Sequence, residues 1–192
     1  MESIWWVFKQ LWERDLVYEG HKILPYCPRC ATPLSNFEAN QGYEEVEDPS
    51  ITVRFRSTDE PNLWYLAWTT TPWTLPSNLA LAVGSDLDYV RVRDNGAEYI
   101  LAEARLPVYY RDETPEIVRR MKGRDLEGQT YRPLFPYFED LARNGAFRIV
   151  TADYVSTEDG TGLVHTATGF GEHDAETGRR ENLPMVCPVE AE

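Results

Sequence analysis

From residue 51 onward, the sequence consists mainly of short β-strand patterns separated by turn residues. Ile51, Val53 and Phe55 alternate with polar residues, which predicts a strand with one buried face. The next pattern, from Leu63 to Thr70, is apolar enough to be buried on both faces. Further strands are predicted at 79–83, 89–93, 98–102, 147–155 and 163–167. Many short strands with few helices favour a mainly β fold with small helices, a β-barrel.

Three helices and one tight hairpin are predicted around these strands. The first helix extends from Ser3 to Tyr18, with apolar residues at helical spacing and a serine N-cap. The second covers 114–123, with a threonine cap, a proline in the first turn and a terminal glycine. The third covers 172–180. The Asn-Gly pair at 95–96 indicates a type I′ turn.

The character of the chain changes near residue 46. We expect residues 1–45 to form an N-terminal helix and a cysteine-containing knuckle, and residues 46–192 to form the β-barrel domain. No apolar run approaches the roughly 18 residues that a membrane span requires, and no secretory leader is recognisable. The sequence therefore predicts no membrane partner.

The charge of the chain limits how it can bind nucleic acid. With 19 Lys and Arg against 32 Asp and Glu, the formal net charge is −13. Such a domain does not bind a polyanion over its whole surface, so a nucleic acid would meet a local basic patch or insert only a strand terminus. One such patch is the basic cluster, which we define as Arg119, Arg120, Lys122 and Arg124. A solvated helix face is an equally good interpretation of that cluster.

Two of the three cysteines lie in the motif Cys27-Pro-Arg-Cys30. The odd count and this spacing argue against a disulfide framework and for a reducing compartment, which predicts a cytoplasmic location. Two thiolates at this spacing can hold two corners of a tetrahedral zinc, with His21 and Cys187 as distant further ligands. The favoured interpretation is half of a zinc site completed outside this chain. A plain turn and a redox pair are the alternatives, although no βαβ pattern surrounds the motif.

A hydroxyl-rich segment follows the strand predicted at 63–70. It contains Thr69, Thr70, Thr71, Pro72, Trp73 and Thr74, followed by Asn78. Because proline ends a strand ladder, nearby backbone groups are left available. Adjacent hydroxyls and amides would form a neutral cradle for an ester carbonyl, a ribose or a water. The alternative is that threonine simply favours strands.

A second polar segment follows the last predicted strand. That strand ends at His165, glycines then permit close backbone approach, and Asp174 stands near a helix start. A structural histidine and a helix-capping aspartate are the alternatives. A metal site of His165, His173 and Asp174 fits no compact ligand spacing, and no serine lies in a nucleophile elbow.

Taken together, these three motifs resemble the editing domain (connective insertion, CP1) of isoleucyl-tRNA synthetase. The resemblance extends from Tyr26 to Asp174. Valyl and leucyl editing domains usually carry Thr-Thr-Arg-Pro where this chain has Thr-Thr-Thr-Pro at 69–72, and they lack a histidine equivalent to His165. The chain departs from the usual isoleucyl pattern at 168–169, where Thr-Gly stands in place of residues from an Ala-Pro-Ala turn.

The resemblance implies a β-barrel inserted in the catalytic body of a class I aminoacyl-tRNA synthetase. The two ATP-binding signatures of that body are absent here, so we expect a fragment that does not activate amino acids. The second cysteine pair of the zinc site would lie beyond Glu192, and the N-terminal helix would face the catalytic body. The expected partners are this body, the 3′ end of charged tRNA(Ile) and its valine moiety.

The resemblance also implies an activity, the hydrolysis of mischarged valyl-tRNA(Ile), with valyl-adenylate as a further substrate. Asp174 would anchor the substrate α-ammonium, and His165 and Trp73 would wall the side-chain pocket. The residues implied to hold the terminal adenosine and the ester, and to place the water, are Thr69, Thr70, Thr71, Thr74 and Asn78. No metal or cofactor is expected at this site. The alternatives are a non-catalytic zinc-knuckle module that binds RNA or protein, and a valyl- or leucyl-type editing domain.

Overall fold

The computed structural model describes residues 1–44, 46–111 and 113–189. The chain forms two compact units, Met1–Gln41 and Gly42–Glu192. The elements of the first unit are α1 (Glu2–Trp12), β1 (Tyr26–Cys27), β2 (Thr32–Pro33) and α2 (Asn36–Ala39). The two short strands pair antiparallel and carry the Cys27–Cys30 turn between them.

Helix α1 is shorter than predicted, because it ends near Trp12 rather than at Tyr18. Asp15 adopts a left-handed conformation with φ 54°. Its N–H donates to Trp12 O, and the Leu16 N–H donates back to Leu11 O at 3.1 Å. These two bonds form a Schellman motif, which terminates a helix. Asp15 thus occupies the position where glycine is usual, and the helix stops before Gly20.

The second unit is built on eight strands with small helices between them. The strands are β3 (Ile51–Arg56), β4 (Leu63–Thr69), β5 (Ala80–Val83), β6 (Asp88–Asp94), β7 (Ala97–Ala102), β8 (Glu116–Lys122), β9 (Arg148–Thr151) and β10 (Leu163–Thr166). The α-helices are α3 (Leu106–Tyr109) and α4 (Glu172–Arg180). Short 3₁₀ helices occupy Pro72–Ser77, Glu103–Arg105, Gly123–Asp125 and Pro136–Asn144. No helix in the described ranges is long and apolar enough to cross a membrane.

The sheet curls back on itself to form a barrel. Its strand order is β8-β6-β7-β4-β10-β5-β9, and β3 pairs with β4 beside this path. Two isolated bridges, Ser57 with Tyr131 and Thr130 with Arg148, connect the edge of β3 to that of β9. Phe55, Tyr131 and Phe147 meet edge to face in the main core cluster. The β-barrel with small helices predicted from the sequence is confirmed.

Most of the predicted strands are confirmed, and the largest error is a helix. Residues 95 and 96 have φ 48° and 80°, as a type I′ turn requires, and α4 has the predicted bounds. The helix predicted over 114–123 is wrong, because Glu116–Lys122 is strand β8, paired antiparallel with β6. Ile117 packs against a second core cluster formed by residues of β4, β6 and β7 and by Leu106. Burial of this β-branched side chain and pairing with β6 favour the strand over the local helix signals.

The basic cluster therefore lies on an edge strand and the turn after it. Arg120 pairs with Glu103, Lys122 with Asp88, and Arg124 with Asp86. These exposed pairs contribute little stability, but they neutralise most of the positive charge of the cluster. The fold thus weakens the case for the basic cluster as a nucleic-acid contact.

Candidate active site

One cavity of about 330 Å³ gathers the predicted site residues of the barrel, except Asn78. Its lining comprises Trp68, Thr69, Thr70, Thr71, Trp73, Thr74, Val164, His165, Phe170 and Asp174. Strands β4 and β10 are parallel neighbours, with Val164 opposite Trp68. Their carboxyl ends therefore lie at the same edge of the sheet, and the two polar segments that follow them meet there.

The threonine side chains form a short chain of hydroxyl groups at this edge. Thr69 Oγ1 accepts a hydrogen bond from the Thr71 N–H at 3.0 Å and lies 3.2 Å from Thr71 Oγ1. Thr71 Oγ1 lies 3.3 Å from Thr74 Oγ1. Strand β4 ends at Thr69 and a 3₁₀ helix begins at Pro72, so the expected end of the ladder at the proline is confirmed. The Thr70 hydroxyl makes no hydrogen bond with another described residue, which leaves it available for a ligand.

His165 is buried and electrically neutral. Its Nε2 lies 2.9 Å from Thr74 Oγ1, and that hydroxyl also donates to the Thr71 carbonyl oxygen at 2.8 Å. A hydroxyl has one proton, so both contacts form together only when His165 Nε2 carries the donated hydrogen. Burial lowers the pKa of His165 to about 4, so the ring is uncharged at pH 7. Its Nδ1 is buried without a partner among the described residues, which makes this nitrogen a poor general base.

Asp174 is the third residue of α4, but it does not cap its own helix. Its Oδ2 accepts a hydrogen bond from the Ala167 N–H at 2.9 Å and so ties the loop after β10 to the helix. A Cβ atom at Gly171 would lie 3.4 Å from the carboxylate, so the loop approaches closely. Burial raises the pKa of Asp174, outweighing the opposing effects of the Ala167 N–H, His173 and Tyr154. A bound cation would stabilise the ionised form against this burial.

Trp73 lies at the mouth of the cavity rather than deep in its wall. Its side chain is 71% exposed, and Phe170, another lining residue, is also exposed. Of the two residues predicted to wall the side-chain pocket, His165 is 5% exposed and lies deep in the cavity, and Trp73 lies at its mouth.

Asn78 is the predicted binding residue that the structure places elsewhere. It is 5% exposed, its Nδ2 donates to the Ala80 carbonyl oxygen at 2.9 Å, and its Oδ1 accepts from the Tyr131 hydroxyl at 2.7 Å. Its hydrogen bonds therefore support the barrel interior, and it does not line the cavity. The prediction failed because Asn78 follows the 3₁₀ helix Pro72–Ser77, where the chain has already turned into the core.

We predict that Asn78→Ala lowers stability without impairing the cavity. The fully buried Tyr131 hydroxyl would lose its partner, which costs about 1–3 kcal/mol of unfolding free energy. Denaturant titrations of Asn78→Ala, Tyr131→Phe and the double variant would measure this cost. The double variant should lose less than the sum of the single variants. Full stability of Asn78→Ala combined with loss of ligand binding would return Asn78 to the site.

Two parts of the chain carry side chains that could bind a metal. Next to Asp174, the exposed His173 does not line the cavity, and its ring stacks on Tyr154 with ring centroids 5.4 Å apart. Within the described ranges, no group of three or more His, Cys, Asp or Glu side chains is placed to hold a metal ion. At the β1–β2 turn, hydrogen bonding from Cys30 lowers the pKa of the Cys27 thiol, as suits a metal ligand. Half of a zinc site at this turn stays a prediction.

We predict that the purified chain holds no stoichiometric zinc, because Cys27 and Cys30 supply only two of the four ligands that structural zinc requires. Metal analysis after dialysis would check this, with a Cys27→Ser/Cys30→Ser variant as the matched control. One tightly held zinc per wild-type chain, lost in the variant, would contradict the half-site and favour a zinc-knuckle module.

Comparison with known proteins shows the family to which this chain belongs. A sequence profile of the tRNA synthetases class I (I, L, M and V) matches residues 1–168. An isoleucine–tRNA ligase of Bdellovibrio bacteriovorus is 53% identical over 194 residues, covering 99% of this chain and 18% of that protein. One of Treponema denticola is 50% identical over 226 residues, covering 100% and 20%. The chain thus spans about a fifth of the length of these curated relatives.

Two solved structures have a fold similar to that of this chain. The crystal structure of GlLeuRS-CP1 has a TM-score of 0.58 at 16% identity, covering 68% of this chain and 59% of that chain. The editing domain of the P. knowlesi cytosolic leucyl-tRNA synthetase has a TM-score of 0.55 at 13% identity, covering 69% and 62%. At these identities the likeness concerns the fold alone.

The barrel has the fold of the editing domains of class I aminoacyl-tRNA synthetases. The chain belongs to the class I tRNA synthetases, the family of the I, L, M and V enzymes. Within that family, its resemblance to the editing domain of isoleucyl-tRNA synthetase, first seen in the three motifs, is confirmed.

Proposed function

We propose that this domain proofreads for isoleucine by hydrolysing the ester bond of valyl-tRNA(Ile), and that it also accepts valyl-adenylate. The observation that carries the proposal is the single cavity that brings together a row of threonine hydroxyls, a neutral histidine and a half-buried carboxylate. These are suitable partners for an ester with its ribose, an aliphatic side chain and an α-ammonium, respectively.

The need for such a site follows from the chemistry of the substrates. Valine is one methylene smaller than isoleucine, and a synthetic site gains only about 1–3 kcal/mol of discrimination from one methylene. Isoleucyl-tRNA synthetase is itself the standard example of this limit, so the magnitude is general and not a result for this chain. A second site that admits valine and excludes isoleucine by size removes the remaining errors.

In the proposed mechanism, the Asp174 carboxylate binds the α-ammonium through a charge-assisted hydrogen bond. His165 donates its Nε2 hydrogen to Thr74 and presents its ring to the substrate side chain. The hydroxyls of Thr69, Thr70 and Thr71 hold the ester and the terminal adenosine, and they orient a water toward the ester carbonyl.

No side chain in the cavity is a convincing general base. The lone pair of His165 Nδ1 is buried, and Asp174 is engaged by the Ala167 N–H and by the substrate ammonium. We propose that the water attacks with help from the substrate's own ribose hydroxyl, which lies beside the scissile ester. This route requires no metal or cofactor at the site.

The charge of the chain favours entry of the tRNA terminus alone. The net charge is −13 and the basic cluster is largely paired, so the surface offers little attraction for a whole tRNA. We propose that the catalytic body of a larger synthetase holds the tRNA, and that the Cys27–Cys30 turn contributes to a zinc site of that protein. Such a synthetase would work in the cytoplasm.

Deacylation by the purified full chain tests the proposal. Valyl-tRNA(Ile) and isoleucyl-tRNA(Ile) are incubated with the wild type and with Asp174→Asn, which keeps an oxygen for the Ala167 N–H but removes the charge. We expect the wild type to release valine and spare isoleucine, and Asp174→Asn to be impaired. Equal release of both amino acids, or no release above the spontaneous rate, would contradict the proposal.

A further inference from the structure

Two buried hydroxyl groups lie near the cavity without a defined role. The Tyr154 hydroxyl and Thr166 Oγ1 are both inaccessible to solvent, and neither has a hydrogen-bond partner among the described residues. Leaving a buried hydroxyl unpaired is unfavourable, and a phenylalanine at 154 would avoid this cost. An unpaired hydroxyl in this position therefore calls for an explanation.

The ring of Tyr154 places its hydroxyl beside Asp174. Tyr154 lies in the segment after β9, and its ring stacks on His173 at an interplanar angle of 26°. Its hydroxyl faces Thr166, Thr177 and the Asp174 carboxylate. The Ala167 N–H occupies one oxygen of that carboxylate, Oδ2. Tyr154 is not among the residues that line the cavity, whereas Asp174 is.

We propose that Tyr154 is a positioning residue for the editing reaction, and that its hydroxyl donates a hydrogen bond to the Asp174 carboxylate when the substrate ammonium binds. The inference rests on the proposed function. A tyrosine hydroxyl can donate one hydrogen bond. In this structure no such bond joins Tyr154 to Asp174, so the donation requires a small shift of the ring or of the carboxylate when the substrate binds. Together with the Ala167 N–H, it would fix the carboxylate toward the ammonium.

The electrostatics of Asp174 are consistent with this role. Burial raises the pKa of Asp174, while the Tyr154 hydroxyl acts in the opposite direction. The charged and titratable groups around the pair are His173 and Arg180 on α4 and the neutral His165 in the cavity. Removing the Tyr154 hydroxyl would therefore raise the pKa of Asp174 further, and more of the enzyme would carry an uncharged carboxyl at acidic pH.

The test is the pH profile of valyl-tRNA(Ile) deacylation by the full chain with Tyr154→Phe, which keeps the ring and its stacking. The rate of spontaneous ester hydrolysis is subtracted at each pH, and the rate of the variant is then compared with that of the wild type from about pH 5 to pH 8. We expect a loss of about tenfold or more at acidic pH that shrinks as pH rises, because a hydrogen bond to a charged group is lost. The matched control is Tyr89→Phe, which removes another buried hydroxyl, bonded to Gly162 O, outside the cavity lining.

A double-mutant cycle with Asp174→Asn separates positioning from a structural role. Tyr154→Phe should have little further effect once the Asp174 charge is gone. A loss of equal size at every pH, or the same loss in the Asp174→Asn background, would overturn the inference. If the wild type does not deacylate valyl-tRNA(Ile), the proposed function fails and the inference with it. If the wild type is active and Tyr154→Phe matches it at every pH, only the role of Tyr154 fails.

Discussion

Replacing Asp174 by alanine is expected to reduce hydrolysis of valyl-tRNA(Ile) at least tenfold while the barrel stays folded. The carboxylate is the anionic side chain that lines the cavity, and a hydrogen bond to a charged group contributes about 1.5–3 kcal/mol. Loss of that bond to the substrate α-ammonium would weaken binding and misplace the ester. Deacylation rates of the variant and the wild type at saturating and limiting substrate would measure the effect.

Asp174 also holds the loop after β10 through the Ala167 N–H, so alanine removes two functions at once. Asp174→Asn is the matched control, because its amide oxygen can still accept that hydrogen bond. If only the charge matters, both variants lose activity and the asparagine variant keeps the wild-type melting temperature. A fully active Asp174→Asn beside an inactive Asp174→Ala would reduce Asp174 to a loop anchor.

Replacing His165 by alanine is expected to make the domain cleave correctly charged isoleucyl-tRNA(Ile). The ring lies at the buried end of the cavity, and its removal opens space for one more methylene. Because the effect is steric, its signature is a rise in the ratio of isoleucine to valine release, not a uniform loss. Parallel deacylation of both charged tRNAs gives this ratio directly.

His165→Phe is the comparison variant, since it keeps a large ring without the imidazole nitrogens and should still exclude isoleucine. If His165 acted as an acid or base, both variants would lose valine hydrolysis by about 10²–10⁴-fold without gaining isoleucine hydrolysis. If its role were structural, both rates would follow the fraction of folded protein in a thermal melt. A uniform loss without isoleucine cleavage would contradict the steric role.

Local sequence signals were sufficient for much of the barrel. Strand β3, helix α4 and the Asn95-Gly96 turn follow the patterns that predicted them, because alternation, helical spacing and turn chemistry act over a few residues. Strand β8 did not follow its local pattern, because Thr114, Pro115 and Gly123 around it match the start and end signals of a helix. Its conformation depends on β6, a partner that lies earlier in the chain, and no local pattern contains that information.

The candidate site divides in the same way. The sequence alone singled out the threonine and histidine–aspartate segments that line the cavity, since both motifs are contiguous and specific. Only the tertiary structure decided that Thr74 and His165, separated by 91 positions, share a hydrogen bond, and that Asn78 turns into the core. The physical reason is the parallel pairing of β4 with β10, which brings two distant strand ends to one edge. Burial at that edge keeps His165 neutral and raises the pKa of Asp174.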